Sequence, residues 1–153
     1  IIDTTNTSIW ELKKRIHEIF ATEDGESRMK VNVISFGYKH GVPEQADLMF
    51  DVRFLPNPYY VAALRNQTGN DEAVSSYVLN SDGADAFLQK LEDLLKFLLP
   101  KYQEEGKEVL VIAIGCTGGK HRSVTLANEL YKKMKTEGQY SVKLYHRDVM
   151  LQR

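Results

Sequence analysis

The chain has 153 residues, of which 42% are hydrophobic and 27% charged, and its net charge is −1. This composition indicates one soluble globular domain and excludes a collagen-like or low-complexity chain, because only four residues are proline and ten are glycine. No apolar run approaches the roughly 20 residues that span a bilayer, so we expect no membrane segment and no membrane partner. The single cysteine, Cys116, excludes an internal disulfide and a cysteine-rich zinc site, and it favours a cytoplasmic location. We predict no bound metal.

The charge is uneven along the chain. Lys120–Arg153 contains eight Lys or Arg residues against three Asp or Glu, so this part carries +5 and the preceding 119 residues carry −6. Such a balance favours an anionic partner for the C-terminal third. For Lys132, Lys133 and Lys135 a second explanation is equally good, since cations near the C-terminal end of a helix favour its dipole.

Helices and strands are predicted to alternate. Because the chain opens Ile1-Ile2-Asp3 rather than with methionine, we interpret it as cut from a larger protein. Ser8 and Glu11 form a capping box for the first helix. Pro56 and Pro58 predict irregular backbone over residues 55–69, and Pro43–Ala46 is expected to form a short helical turn. Strands are predicted at residues 31–36, 48–54, 108–114 and 140–145, and helices at residues 8–20, 71–79, 82–105 and 121–135.

This alternation predicts an α/β fold. The strongest strand, residues 108–114, is nearly all apolar, which is typical of a parallel sheet covered on both faces. We therefore expect a mostly parallel sheet of about four strands with helices on both faces. The pattern does not predict the strand order.

The most informative stretch is Gly115-Cys116-Thr117-Gly118-Gly119-Lys120-His121-Arg122-Ser123, here called the Gly-rich segment (Gly115–Ser123). It joins the apolar strand to a helix, and ligands of open α/β sheets bind at the carboxyl ends of strands. Glycines let backbone N–H groups point at an anion, and the helix N-terminus adds positive potential. Lys120 and Arg122 add charge, while Thr117 and Ser123 add hydroxyls. The segment therefore predicts a phosphate or oxyanion site at the carboxyl end of a strand.

The Gly-rich segment matches one of three known patterns of anion-binding loop. A Walker A loop does not fit, because position 120 is Lys where that pattern starting at Gly115 requires Gly. A dinucleotide fingerprint is also absent. Cys116, Arg122 and Ser123 do match the Cys-x5-Arg-[Ser/Thr] pattern of cysteine-dependent phosphatases, although Gly115 stands where those enzymes usually have His.

In the phosphatase interpretation Cys116 is the nucleophile and Arg122 binds phosphate oxygens. An aspartate must then supply the proton, and the candidates are Asp51, Asp82 and Asp148. The alternative is that Cys116 is a small residue at a strand end with no chemistry.

A second polar cluster follows the strand predicted at residues 48–54. Asp51 and Arg53 are two residues apart and would share one strand face. Arg53 is then expected to join the anion site, with Asp51 orienting it or binding a sugar hydroxyl. The alternative is a local Asp–Arg ion pair.

Three motifs together resemble the C-terminal domain of the RapZ/YvcJ family. They are Val33-Ile34-Ser35-Phe36-Gly37-Tyr38-Lys39-His40-Gly41, Phe50-Asp51-Val52-Arg53-Phe54-Leu55-Pro56-Asn57-Pro58 and Ala113-Ile114 followed by the Gly-rich segment. The resemblance runs from about Val31 to Arg147. It implies that residues 1–30 are a linker and leading helix after a missing N-terminal domain, and that residues 31–153 are a C-terminal ligand-sensing domain.

The resemblance also implies a function. Family members carry an N-terminal P-loop domain that binds ATP or GTP, so this domain is expected to need no cofactor and to be non-catalytic. The C-terminal domain is similar to a sensor of a phosphorylated aminosugar, glucosamine-6-phosphate in enterobacterial members, where the protein also binds RNA. We expect a small phosphorylated sugar or nucleotide sugar as ligand and a homo-oligomer for the full-length protein. The resemblance places these residues in the ligand site: Asp51, Arg53, Cys116, Thr117, Gly118, Gly119, Lys120, His121 and Arg122.

Two positions differ from the enterobacterial pattern. Tyr59 follows Pro56-Asn57-Pro58 where that pattern has His, which bears on the identity of the ligand. The basic C-terminal tail is also thinner here, so RNA binding is expected to be weak at most. Its candidate residues are Lys143, Arg147 and Arg153.

Overall fold

Four parallel strands form a single sheet in the structure, a computed structural model that describes residues 28–151. The strands are β1 (Lys30–Gly37), β2 (Leu48–Asp51), β3 (Val109–Cys116) and β4 (Ser141–His146). Their order across the sheet is β2-β3-β1-β4, and every neighbouring pair is parallel. The predicted α/β class with a parallel sheet of four strands is confirmed.

The apolar sequence of β3 matches its central place in the sheet. β3 pairs with β2 on one side and with β1 on the other, and its residues from Leu110 to Cys116 are all buried. Such a strand has no solvent-facing side, so both alternating sets of its side chains are apolar or small. The edge strand β4 instead alternates between exposed and half-buried residues.

Three α-helices accompany this sheet in the described residues, and the third packs directly on β1, β3 and β4. They are α1 (Glu72–Leu79), α2 (Ala84–Glu105) and α3 (Arg122–Glu137). On α2 the buried residues Leu88, Leu91, Leu95 and Leu99 repeat at helical spacing, so they form one stripe. This stripe joins one apolar core with alternate residues of β1 and β3, among them Val31, Val33, Leu110 and Ile112. Pro100 lies inside α2 at an exposed position, and the helix continues past it to Glu105.

Several boundaries differ from the prediction. β2 ends at Asp51 and not at Phe54, because the Asp51 carboxylate accepts a hydrogen bond from the backbone N–H of Arg53 at 2.9 Å and turns the chain. Pro43–Ala46 forms only a turn, in which the N–H of Ala46 donates to the carbonyl of Pro43. The stretch predicted as irregular contains a short 3-10 helix, Pro58–Tyr60, and a second one covers Tyr38–His40.

The helix predicted at residues 8–20 lies outside the described residues and stays a prediction. Among residues 28–151, none of the helices has the length and apolar character needed to cross a membrane.

Candidate functional site

The Gly-rich segment lies where the carboxyl ends of the strands meet. In the parallel register Gly37 of β1 stands beside Cys116 of β3, and Asp51 of β2 stands beside Gly115. The chain leaves β3 after Cys116 and enters α3 at Arg122. The ends of β1, β2 and β3 and the start of α3 therefore surround one point.

Glycines allow this segment to lie directly on β1. A Cβ on Gly37 would overlap the backbone of Gly118, and a Cβ on Gly119 would lie 2.6 Å from the backbone nitrogen of Gly37. Gly119 also has a φ of +76°, in the left-handed region that side chains disfavour. Both positions need glycine because two backbone segments touch there.

Four successive backbone N–H groups in this segment have no acceptor. Those of Thr117, Gly118, Gly119 and Lys120 donate to no group among residues 28–151, although Gly118 and Gly119 are buried. No side chain caps α3 either, since its N-cap residue His121 makes no capping hydrogen bond. Buried N–H groups are nearly always paired, so two buried amides without an acceptor among the described residues, flanked by two half-buried ones at a helix N-terminus, are typical of an anion site.

The guanidinium of Arg122 is buried under the site. Its Nη1 donates to the carbonyls of Arg53 at 2.9 Å and Leu55 at 3.0 Å, and its Nη2 donates to the Thr117 hydroxyl at 3.3 Å. Only 4% of Arg122 is exposed. Arg122 therefore ties the segment after β2 to the Gly-rich segment and places a positive charge between them.

Asp51 and Arg53 form the local ion pair that the sequence left as an alternative. Arg53 Nη2 lies 2.7 Å from the Asp51 carboxylate, and the guanidinium also stacks 4.0 Å from the centre of the Tyr38 ring. The hydrogen bond from Arg53 holds the pKa of Asp51 below its usual range, and the same bond raises the pKa of Arg53. Burial and the Asp51 charge raise the pKa of Tyr38. Because Arg53 is half exposed, it lies at the rim of the site with its charge partly balanced.

Cys116 and Ser123 are brought together at the base of the segment. The Cys116 thiol donates to the Ser123 hydroxyl at 3.2 Å, and Cys116 is 2% exposed. The two residues that match the phosphatase pattern are therefore in contact, but the sulfur is covered. Of the aspartates considered as proton donors, Asp51 is paired with Arg53. Asp148 accepts bonds from the Gly37 N–H and from Arg147.

Tyr59, Lys120 and His121 lie on the other side of the segment. His121 is 1% exposed, and its Nε2 donates to the carbonyl of Arg65 at 3.1 Å. Tyr59 and Lys120 line a cavity that also includes Arg65. Of the predicted site residues, Tyr59, Lys120 and His121 thus form one flank, and Asp51, Arg53 and Arg122 form the other.

The residues predicted for RNA contact are not grouped. Lys143 is exposed on β4, whereas Arg147 is held by the buried Asp148 at 2.7 Å and donates to the carbonyl of Gly41. Arg153 lies outside the described residues. No group of three or more metal-ligating side chains occurs in the part of the chain that the structure describes.

Two neighbours of the site gave little signal in the sequence. Arg65 is a single basic residue in a stretch predicted as irregular, and nothing around it marks it out. From the sequence, Asp148 was a candidate only as a proton donor. In the structure its carboxylate accepts a hydrogen bond from the N–H of Gly37, 111 positions away. The turn residues Thr68-Gly69-Asn70-Asp71 were the one available signal that this stretch has a defined structure.

The chain is similar to known proteins over almost its whole length. The family model for the RapZ C-terminal domain matches residues 29–150. This chain belongs to the RapZ C-terminal domain family. Relatives named "nucleotide-binding protein" are 50% identical in Agathobacter rectalis, 54% in Thermoanaerobacter sp. and 55% in Bacillus cytotoxicus, each over 97% of this chain. The chain covers 50–52% of those relatives, so it spans about half of their length.

Proposed function

We propose that this RapZ-type C-terminal domain is a regulatory module that binds the phosphate group of an aminosugar phosphate or a nucleotide sugar. The observation that carries the proposal is the run of four N–H groups, Thr117–Lys120, without acceptors among the described residues. A tetrahedral oxyanion is the ligand class that such a run of amides at a helix N-terminus binds best.

The charges around the amides support the same ligand. Lys120 and the buried Arg122 lie at the amides, and Arg53 lies at the rim with its partner Asp51. Asp51 is a carboxylate at neutral pH, as an ordinary aspartate is, so it can accept a hydrogen bond from a sugar hydroxyl or an ammonium group. A cationic base and a rim that offers both a carboxylate and a guanidinium fit an aminosugar that carries phosphate at one end.

Calorimetry with glucosamine-6-phosphate tests the proposal. We expect saturable binding to the wild-type chain and at least about a tenfold loss of affinity in Lys120→Ala, because a charge-assisted hydrogen bond to phosphate is removed. Lys90→Ala, which removes the same charge from an exposed position on α2, is the matched control and should bind as the wild type does. Absence of heat at millimolar ligand contradicts the proposal.

A cysteine phosphatase is the second candidate, and the Cys116–Ser123 hydrogen bond is the observation in its favour. It predicts turnover of an aryl phosphate that disappears in Cys116→Ser. We favour binding over catalysis because the thiol is covered and because Arg122 is committed to the carbonyls of Arg53 and Leu55. Turnover that is equal in wild type and Cys116→Ser rules this candidate out.

The remaining family properties are proposals for the full-length protein. They comprise ATP or GTP binding by a P-loop domain outside this chain, self-association and weak RNA contact. For RNA, Lys143 is the exposed candidate, and the pairing of Arg147 with Asp148 argues against a large part for Arg147. A gel shift at low salt with the wild type and Lys143→Ala tests this contact, and loss of a complex on substitution is the expected result.

A further inference from the structure

A cavity of about 430 Å³ adjoins the Gly-rich segment. This volume falls in the range of pockets that bind small molecules and cofactors, about 300–1,000 Å³. Its wall combines polar side chains of the loop after β2, the lysine of the Gly-rich segment and a run of three apolar residues after β4: Tyr59, Arg65, Asn66, Thr68, Lys120 and residues 149–151.

The cavity presents two positive charges. Neither Arg65 nor Lys120 is paired with a carboxylate among residues 28–151. The Arg65 Nε donates to the carbonyl of Tyr59 at 2.7 Å, and its guanidinium lies 4.9 Å from the centre of the Tyr59 ring. These two contacts hold Arg65 in place while its charge is left unbalanced, so the cavity favours an anionic occupant.

The cavity wall is fixed to the Gly-rich segment. The His121 ring donates to the carbonyl of Arg65, and the N–H of Gly69 donates to the carbonyl of Lys120 at 2.9 Å. A Cβ on Gly69 would overlap the carbonyl of His121, so the two backbones are in direct contact. The amides of residues 117–120 and the side chain of Arg65 are therefore fixed relative to each other, and Lys120 belongs to both places. Two anionic groups of one ligand could bind there at a set spacing.

We propose that this cavity binds a second phosphoryl group together with the body attached to it, so that the preferred ligand is a pyrophosphate-linked nucleotide sugar and not a sugar monophosphate. The proposal rests on the proposed function, because the first phosphate occupies the amides of the Gly-rich segment. Arg65 and Lys120 contact the second phosphoryl group. Tyr59, Asn66 and Met150 contact the remainder, which suits a flat polar ring with one apolar face.

Calorimetry with two ligands tests the proposal. We expect the wild-type chain to bind UDP-N-acetylglucosamine at least about tenfold more tightly than glucosamine-6-phosphate. In Arg65→Gln, which keeps an amide donor for the Tyr59 carbonyl but removes the charge, this preference should fall to about twofold or less while glucosamine-6-phosphate binds as before. Arg65→Lys, which keeps the charge, should retain most of the preference, and Lys90→Ala is the control for a lost surface charge.

The outcomes separate the two proposals. If glucosamine-6-phosphate binds and depends on Lys120, but UDP-N-acetylglucosamine binds no more tightly, the second-phosphoryl site is wrong and the proposed function stands. The same holds if Arg65→Gln weakens both ligands equally, because Arg65 then acts on the fold of the loop. If neither ligand binds the wild type, both proposals are wrong.

Discussion

Gly119→Ala is the substitution whose effect follows most directly from the geometry of the Gly-rich segment. A φ of +76° places an alanine in the left-handed region, which destabilises by about 1–2 kcal/mol. The new methyl group also lies 2.6 Å from the Gly37 nitrogen and 2.9 Å from the Asp148 Cβ. The methyl group fits only if these two packed neighbours move apart. Overpacking of this kind destabilises by about 1–3 kcal/mol more. We expect a total loss of about 2–5 kcal/mol in the free energy of unfolding.

Gly138→Ala provides the matched control. Gly138 ends α3 with a φ of +70°, so the backbone strain is the same, but a Cβ there meets nothing within 4 Å. Its loss should be the backbone strain alone, about 1–2 kcal/mol. Urea unfolding followed by circular dichroism measures both variants. If Gly119→Ala is no more destabilising than Gly138→Ala, the contact between the Gly-rich segment and β1 is not as described.

Three further outcomes are expected. Arg122→Lys keeps the charge but loses the paired hydrogen bonds to the carbonyls of Arg53 and Leu55. It should lower the free energy of unfolding by about 2–4 kcal/mol, which urea unfolding measures. Burial acts to raise the pKa of Asp148, but the bonds from Arg147 and Gly37 outweigh it, and the net pKa is lowered. The Asp148 carboxylate therefore contributes fully to the free energy of unfolding above its ordinary pKa of 3.8, and this contribution is lost as the pH falls through the lowered pKa. In Asp148→Asn the free energy of unfolding should fall less steeply with decreasing pH in this acidic range. Burial lowers the pKa of His146 below its ordinary value of 6.5, so the folded protein favours the neutral ring. The free energy of unfolding therefore keeps this contribution above pH 6.5 and loses it as the pH falls and the ring is protonated. His146→Gln should remove this slope, and an unchanged slope contradicts the assignment.

Regular, local patterns made much of the fold predictable. The apolar run of β3 and the leucine spacing of α2 specify their elements without reference to the rest of the chain. The position of the Gly-rich segment between a buried strand and a helix was likewise visible, because glycines and cations directly follow the apolar run. Strand order was not predictable, since pairing depends on contacts between distant parts of the chain.

The misplaced end of β2 has a local cause. Residues 48–54 alternate as a strand should, but the Asp51 carboxylate competes for the Arg53 N–H and stops the ladder. The contacts of Arg65 and Asp148 were out of reach for another reason. They join the Gly-rich segment and Gly37 to residues 56 and 111 positions away, and a single sequence holds no signal for such pairs.

Anion binding by this domain depends most on the amides of Thr117, Gly118, Gly119 and Lys120. Nitrogen-15 NMR of the labelled chain, titrated with glucosamine-6-phosphate, observes these four N–H groups individually. We expect their resonances to move most and to saturate together, while those of Lys132, Lys133 and Lys135 on α3 stay in place. This result is what binding of the phosphate at these amides predicts. Shifts that are confined to the α3 lysines, or no shifts at these four amides at millimolar ligand, contradict it.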